Sequence, residues 1–351
     1  MTQRSASLTI PLKITFSIPI ETTSVDVAAE PGLQPAPLGL DPTREGWFNG
    51  NRRSPEEVLT DAVRQLDVGA LDANSFHWRN ALATALCSFA AYEAKTSLQA
   101  VVLAIKGKFN TFSEFEMGET QGFVASTDSV VIVSYRGTDD AGDWWTNGDF
   151  RYLDSGEYGS VHRGFYRAFH DSRNEVVRRL VEAGADQKPV VLTGHSLGGA
   201  IATIAAAEWF STYRIRSIYT YGQPAAGFTA LRSFLDVRYG DRFSRFVNEG
   251  DLVPRVPPGY RHVGKLFHFK GGGRLVHETA RAAAPINDTL TMSQAEYEAH
   301  RAAMSTGAEP KPQELSTASR GDIKAEAWYP NTSDHALDRY LERILQELKA
   351  E

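Results

Sequence analysis

The apolar residues of this chain recur with two different periods. Between Leu8 and Ile20 every second residue is Leu, Ile or Phe, and this period of two predicts a strand with one buried face. Pro11 and Pro19 lie in the same segment and have no amide proton to donate, so we expect an edge strand or an arm that pairs with a second subunit in a homodimer. The segment 21–55 shows no periodicity and contains Pro, Gly and acidic residues, which is typical of an extended linker. The pattern therefore predicts an N-terminal arm that ends with this linker.

Residues 56–351 follow the arm of residues 1–55 and alternate between the two periods. Strands are predicted at Ala100–Ile105, Gly122–Ala125, Ser129–Arg136, Pro189–Thr193, Ile215–Tyr221, Arg242–Asn248 and His262–Phe269. Helices are predicted at Phe76–Ala94, Arg163–Ala183, Ala200–Tyr213, Thr229–Leu235, Met292–Met304 and Ala336–Leu348. The early strands have connections short enough for hairpins, whereas helices separate the later ones. We therefore expect one α/β domain, with a mixed, mostly parallel central sheet and helices on both faces.

A polar stretch interrupts the second half of this domain. Residues 282–328 are rich in Ala, Glu and Ser, and the pattern predicts no strand among them. A strand-free segment of this length is typical of a surface insertion in a compact fold. We therefore predict a polar insertion at about 282–328.

One short motif carries the candidate chemistry. Gly194-His-Ser-Leu-Gly198 follows an apolar strand and precedes a helix of small residues. A strand that turns sharply into a helix through a serine flanked by glycines is a nucleophile elbow. The strained turn leaves no room for β-carbons two residues before and after the serine, which explains both glycines. Ser196 is the predicted nucleophile.

A serine hydroxyl needs an imidazole to take its proton and a carboxylate to orient that imidazole. In α/β-hydrolases the chain order is Ser, then Asp or Glu, then His. Asp251 lies in the loop just after a predicted strand and fits the second position, with Glu249 as the nearest rival. His335 lies in a loop rich in capping residues at the start of the last helix, a rigid support for a base. The rival bases by chain order are His262, His268, His277 and His300.

An oxyanion intermediate needs two hydrogen-bond donors. The amide of Leu197, the residue after the predicted nucleophile, is one. The second is expected from the loop after an early strand, where Thr138 offers both an amide and a hydroxyl.

Taken together, these stretches resemble the class 3 lipase family, the α/β-hydrolases related to filamentous-fungal triacylglycerol lipases. The matching stretches are Tyr135-Arg-Gly-Thr138, Val161-His-Arg-Gly-Phe165, Thr193-Gly-His-Ser-Leu-Gly-Gly199, Tyr219-Thr-Tyr-Gly-Gln-Pro224, Asn248-Glu-Gly-Asp-Leu-Val-Pro254 and Ser333-Asp-His335. The resemblance implies a triad of Ser196, Asp251 and His335, with Thr138 and Leu197 as oxyanion donors. It also implies hydrolysis of acylglycerol or related esters at a lipid–water interface, without a cofactor or metal ion.

Several readings of that site stay open. The same residues suit a phospholipase A1 or a feruloyl or aryl esterase, and a lipid- or protein-binding module that has lost turnover is the alternative from another class. The resemblance places a lid after the oxyanion loop, where Trp144 and Trp145 have the apolar body and polar tip that suit a lipid interface. Alternatively, these two tryptophans are core anchors of a static loop.

Composition limits the classes of binding partner and the cellular compartments that we expect for this protein. A net charge of −6 argues against a general nucleic-acid binder, because neutralising phosphates requires a basic surface. Cys87 is the single cysteine, which excludes an intramolecular disulfide and a cysteine metal site. The segment from Leu8 to Ile20 contains Lys13 and is followed by no small-residue cleavage site, so we see no secretory signal. We therefore expect a cytoplasmic protein, or else one exported without a signal peptide.

Overall fold

The computed structural model describes residues 53–73, 75–92, 98–138, 149–270, 274–278, 291–306 and 332–351. The strand predicted from Leu8 to Ile20 lies outside these ranges, and so do Trp144 and Trp145. Of the predicted insertion, only 291–306 is described. The arm of residues 1–55 and the insertion therefore stay predictions.

A central sheet of eight strands organises the domain. Its strands, in spatial order, are β1 (Thr111–Met117), β2 (Thr120–Ser126), β3 (Val131–Tyr135), β6 (Val190–His195), β7 (Ile215–Tyr221), β8 (Phe243–Asn248), β9 (Lys265–Lys270) and β10 (Arg274–Glu278). The pairs β1–β2, β2–β3 and β9–β10 are antiparallel, and the four pairs from β3 to β9 are parallel. A separate hairpin is formed by β4 (Tyr152–Asp154) and β5 (Ser160–His162). The predicted mixed, mostly parallel sheet is confirmed.

Helices cover both faces of this sheet, as predicted. The described α-helices are α1 (Pro55–Arg64), α2 (Trp78–Ala90), α3 (Gln99–Lys106), α4 (Arg163–Glu182), α5 (Leu197–Glu208), α6 (Thr229–Tyr239), α7 (Gln294–Thr306) and α8 (Leu337–Ala350). One buried cluster joins α1, α2, α3 and α8 to sheet residues such as Val191, and a second joins α4, α5 and α6 to Val190 and Leu192. Neighbouring residues of β6 therefore point into opposite layers, and the strand is buried on both sides.

The strand predicted at Ala100–Ile105 is wrong, because this stretch forms helix α3. Val102 and Ile105 are buried three residues apart, whereas Leu103 between them is 61% exposed. The run of branched apolar residues favours a strand locally. In the folded chain, however, the core accepts only the helix face that carries Val102 and Ile105. The first strand is instead β1, whose polar and mostly exposed sequence has a weak strand pattern.

Helix α1 was not predicted, although its start carries a recognisable signal. The hydroxyl of Ser54 accepts a hydrogen bond from the amide of Glu57, and the carboxylate of Glu57 accepts one from the amide of Ser54. This reciprocal capping box begins a helix at Pro55. The predicted linker 21–55 would have kept Pro55 in an extended conformation.

Among the described helices, none is both long and apolar enough to cross a membrane.

Candidate active site

The predicted nucleophile lies at the turn between β6 and α5. Ser196 has φ 55° and ψ −130°, a left-handed conformation that a side chain rarely adopts. A β-carbon at Gly194 would lie 2.3 Å from the carbonyl carbon of Gly198, and one at Gly198 would lie 2.1 Å from the carbonyl oxygen of Tyr135. Both glycines therefore allow the strand, the helix and β3 to approach closely, and the predicted elbow is present.

The predicted base and acid contact each other directly. Nδ1 of His335 lies 2.8 Å from Oδ2 and 3.0 Å from Oδ1 of Asp251, whose carboxylate is completely buried. Because Nδ1 donates to this carboxylate, Nε2 of the neutral imidazole is the acceptor. This Nε2 is buried and has no hydrogen-bond partner among the described residues. The pair thus has the orientation in which an imidazole can take a proton from a nucleophile.

Two loops hold this pair together. The amide of Val253 donates to Oδ1 of Asp251 over 2.9 Å, which fixes the carboxylate within its own loop. The side-chain carboxylate of Asp334 accepts a hydrogen bond from the amide of Gly250 over 3.1 Å. The main-chain carbonyl of Asp334 accepts one from the side-chain amide of Asn248 over 3.1 Å. The loop of the base is therefore bound to the loop of the acid on both sides.

Three of the rival residues are held in other roles. Glu249 has φ 36°, so it is the turn residue that ends β8. His268 donates from Nε2 to the carbonyl of Glu249 over 3.0 Å, and His262 donates from Nε2 to the carbonyl of Pro254 over 2.5 Å. Burial above all lowers the pKa of His268 to about 4. These contacts support Asp251 and His335 over Glu249, His262 and His268.

The side chains of the other two rival bases, His277 and His300, lie outside the described residues.

A second histidine, His195, supports the base. The sequence analysis did not predict this role. His195 donates from Nε2 to the main-chain carbonyl of His335 over 2.7 Å, and its Nδ1 lies 2.8 Å from the hydroxyl of Tyr92. Burial lowers the pKa of His195 well below its usual range. The ring is therefore neutral, and Nδ1 accepts from Tyr92. The signal was available inside the motif, since His195 directly precedes the predicted nucleophile.

The predicted oxyanion loop packs against the nucleophile. A β-carbon at Gly137 would lie 3.0 Å from Cβ of Ser196 and 2.7 Å from the carbonyl oxygen of His195. Thr138 is the next residue and is half-buried, while Leu197 is the first residue of α5. The free amides of a helix N-terminus lie at this point. Both predicted donors thus belong to segments that meet at Ser196.

Part of the chain is similar in sequence to a known protein family. Residues 132–260 match the family model of class 3 lipases, so the predicted resemblance is confirmed. This segment contains Ser196 and Asp251, whereas His335 lies beyond it.

Several relatives of similar sequence are fungal. Secreted mono- and diacylglycerol lipase 1 of Fusarium solani is 34% identical over 43% of this chain and 48% of the relative. Secreted mono- and diacylglycerol lipase A of Penicillium cyclopium is 31% identical over 44% of this chain and 54% of the relative. A lipase of Rhizomucor miehei is 32% identical over 42% of this chain and 45% of the relative. The chain thus matches about half the length of these relatives. Because two of these relatives are named as secreted, the predicted cytoplasmic location is wrong.

Solved structures agree on the fold. A fungal lipase crystal structure aligns with a TM-score of 0.52 at 22% identity, over 67% of this chain and 96% of that one. A structure from Penicillium cyclopium aligns over the same shares, with a TM-score of 0.50 and 22% identity. The predicted α/β-hydrolase fold is confirmed.

Proposed function

This chain carries the class 3 lipase segment within an α/β-hydrolase fold, and from this premise we propose that it hydrolyses the ester bonds of acylglycerols. The observation that carries the proposal is the contact of Nδ1 of His335 with buried Asp251, which leaves Nε2 unbonded among the described residues. A serine in an elbow of this kind is the matching nucleophile. The names of the relatives from Fusarium and Penicillium support acylglycerols as the substrate class and secretion as the destination.

The residues suit a two-step acyl transfer. Oγ of Ser196 attacks the ester carbonyl carbon while Nε2 of His335 takes its proton, and Asp251 stabilises the imidazolium. Collapse of the tetrahedral intermediate breaks the bond to the alcohol, which leaves with that proton. Water then attacks the acyl-enzyme through the same base and releases the fatty acid. We assign the two oxyanion donors to the amides of Leu197 and Thr138.

The alternatives differ in substrate rather than in machinery. A phospholipase A1 and a feruloyl or aryl esterase would use the same three residues, and a binding module would use none of them. The lid with Trp144 and Trp145 and the homodimer through the strand from Leu8 to Ile20 stay predictions.

The deciding experiment measures covalent labelling and turnover together. The purified protein is treated with a fluorophosphonate probe and assayed on monoolein, dioctanoylglycerol, phosphatidylcholine and methyl ferulate. We expect labelling at Ser196 and the highest kcat/KM on the acylglycerols.

Variants then assign the residues. Both Ser196→Ala and His335→Ala should lower kcat by roughly a millionfold, because members of a triad act as a unit. Ser172→Ala is the matched control, since the hydroxyl of this buried serine donates, among the described residues, to the carbonyls of Ala168 and Phe169 within α4. A labelled serine other than Ser196, or full activity in Ser196→Ala, would overturn the proposal.

A further inference from the structure

Tyr340 places a phenol hydroxyl against the acid of the site. Its oxygen lies 2.5 Å from Oδ2 of Asp251 and accepts a hydrogen bond from the amide of Asn248 over 3.2 Å. The whole side chain is buried. The mechanism described above makes no use of this residue.

We propose that Tyr340 is a positioning residue that acts on the base through the Asp251 carboxylate, an inference that rests on the proposed function. A carboxylate that accepts more than one hydrogen bond is held in one rotamer, and its charge is shared among the donors. Here Oδ2 of Asp251 accepts from both Tyr340 and Nδ1 of His335, and Oδ1 accepts from the amide of Val253. The phenol therefore completes the set of donors that aim Oδ2 at the imidazole.

The fold explains why the hydroxyl is reliably at this position. Helix α8 begins directly after the loop of His335, and Leu341 and Ile344 anchor it in the same buried cluster as the ring of Tyr340. Only the polar tip of Tyr340 leaves this cluster, at the end of β8 where Asn248 lies. One helix therefore determines the position of both the base and the phenol.

The phenol also stays in the right protonation state. Burial first, and then the negative charge of Asp251, raise the pKa of Tyr340 well above its usual range. The hydroxyl thus remains protonated throughout the working pH range. Because the amide of Asn248 is a donor, the phenol proton is directed at the carboxylate.

The test compares Tyr340→Phe with Tyr221→Phe. Tyr221 is equally buried, its ring centroid lies 6.1 Å from that of Tyr340, and its hydroxyl donates to the carbonyl of Ala81 over 2.6 Å, away from Asp251. The two variants therefore remove the same atom from the same core. We expect Tyr340→Phe to lower kcat on dioctanoylglycerol by about tenfold to a hundredfold with little change in KM. Tyr221→Phe should lower it by less than about threefold.

The pH profile separates positioning from packing. Without the phenol, more of the negative charge of Asp251 acts on the imidazole, so the imidazolium loses its proton at a higher pH. The acid limb of kcat/KM should therefore move to higher pH in Tyr340→Phe and stay in place in Tyr221→Phe. Adding Tyr340→Phe to Asp251→Asn should then cause no further loss of kcat.

A second variant keeps the test valid if Tyr340→Phe fails to fold. Site-specific 3-fluorotyrosine at position 340 retains the hydroxyl and makes it a stronger donor, so the acid limb should move to lower pH. Equal losses in the two phenylalanine variants with unmoved acid limbs, or an additive loss in the double variant, would overturn the inference. So would an unmoved profile in the fluorotyrosine protein. A wild-type protein that neither labels at Ser196 nor hydrolyses any ester would instead overturn the proposed function, and this inference with it.

Discussion

Gly222 leaves the space that His335 occupies. A β-carbon built at Gly222 would lie 2.9 Å from Nδ1 of His335 and 2.8 Å from Oδ2 of Asp251. The residue follows β7 and has φ 58°, and its amide donates to the carbonyl of Phe246 over 3.0 Å. The contact between acid and base therefore depends on a residue that carries no catalytic group of its own.

Gly222→Ala should reduce kcat at least about a hundredfold, because the added carbon must displace one partner of the acid–base contact. Gly118→Ala is a matched control, since Gly118 has φ 59° and no atom within 4 Å of its built β-carbon. Both variants should lose about 1–2 kcal/mol of stability from backbone strain. Thermal unfolding of the two variants measures the backbone strain that they share. A loss of kcat in Gly222→Ala beyond that in Gly118→Ala measures the steric clash of the added β-carbon with Asp251 and His335. Equal activity in both would show that the space beside His335 is not required.

Asp251→Asn should bind substrate normally and lose roughly 10⁴-fold in kcat, because an amide orients the wrong imidazole tautomer. Glu249→Gln is the control, since Glu249 takes part in the described contacts through its main chain. Steady-state kinetics on dioctanoylglycerol with both variants decide the assignment. An inactive Glu249→Gln beside an active Asp251→Asn would reverse it.

The buried His162 should make the protein less stable in mild acid. Its Nδ1 accepts from the amides of Gly164 and Phe165 at the start of α4, and its Nε2 donates to the carbonyl of Asp149 over 2.8 Å. Burial lowers its pKa to about 4, so the unfolded chain takes up this proton at a higher pH than the folded one. The free energy of unfolding should therefore fall as the pH drops from about 6.5 to about 4, by on the order of 3 kcal/mol from this group.

His162→Asn tests this contribution, because asparagine also caps helices but does not titrate. Urea unfolding at pH 7 and pH 5 should show a smaller difference in the variant than in the wild type. His77→Asn, which replaces an exposed histidine, is the control. An undiminished pH dependence in His162→Asn would assign the effect to other groups.

Cys87 should resist thiol reagents in the folded protein. It is the chain's single cysteine, it is fully buried in α2, and burial raises its pKa, so the reactive thiolate is scarce. A maleimide should label it only after unfolding in guanidinium. Rapid labelling under native conditions would show that α2 opens readily.

The two predicted lid tryptophans lie outside the described residues, and comparing rates on two classes of substrate tests their role. If Trp144 and Trp145 bind a lipid surface, replacing both by Ala should lower hydrolysis of emulsified long-chain esters far more than that of soluble short-chain ones. Two buried indoles supply about 150 to 250 Å² each, at roughly 25 cal/mol per Å². An equal fall on both substrates with a lower melting temperature would identify them as core residues.

The site was predictable where its signal is local. The elbow at Ser196 needs a strand, two glycines and a small-residue helix in one stretch of chain, and all of them are visible in the sequence. The strand predicted at Ala100–Ile105 failed for the opposite reason. Val102 and Ile105 select a helix only because the core accepts one stripe of this segment and leaves Leu103 in water.

The sequence by itself determined the candidate nucleophile, the α/β alternation and the order of the candidate acid and base, because each depends on neighbours in the chain. Only the tertiary structure decided which acid meets which base. Asp251 and His335 are 84 residues apart, and their contact requires β8, the final helix and the gap at Gly222 to come together. The supporting residue Tyr340 carries no sequence signal, because a buried tyrosine usually indicates only a core position. Burial then directs its hydroxyl to the candidate acid, since a polar group taken out of water must find a partner, and the partner here is Asp251.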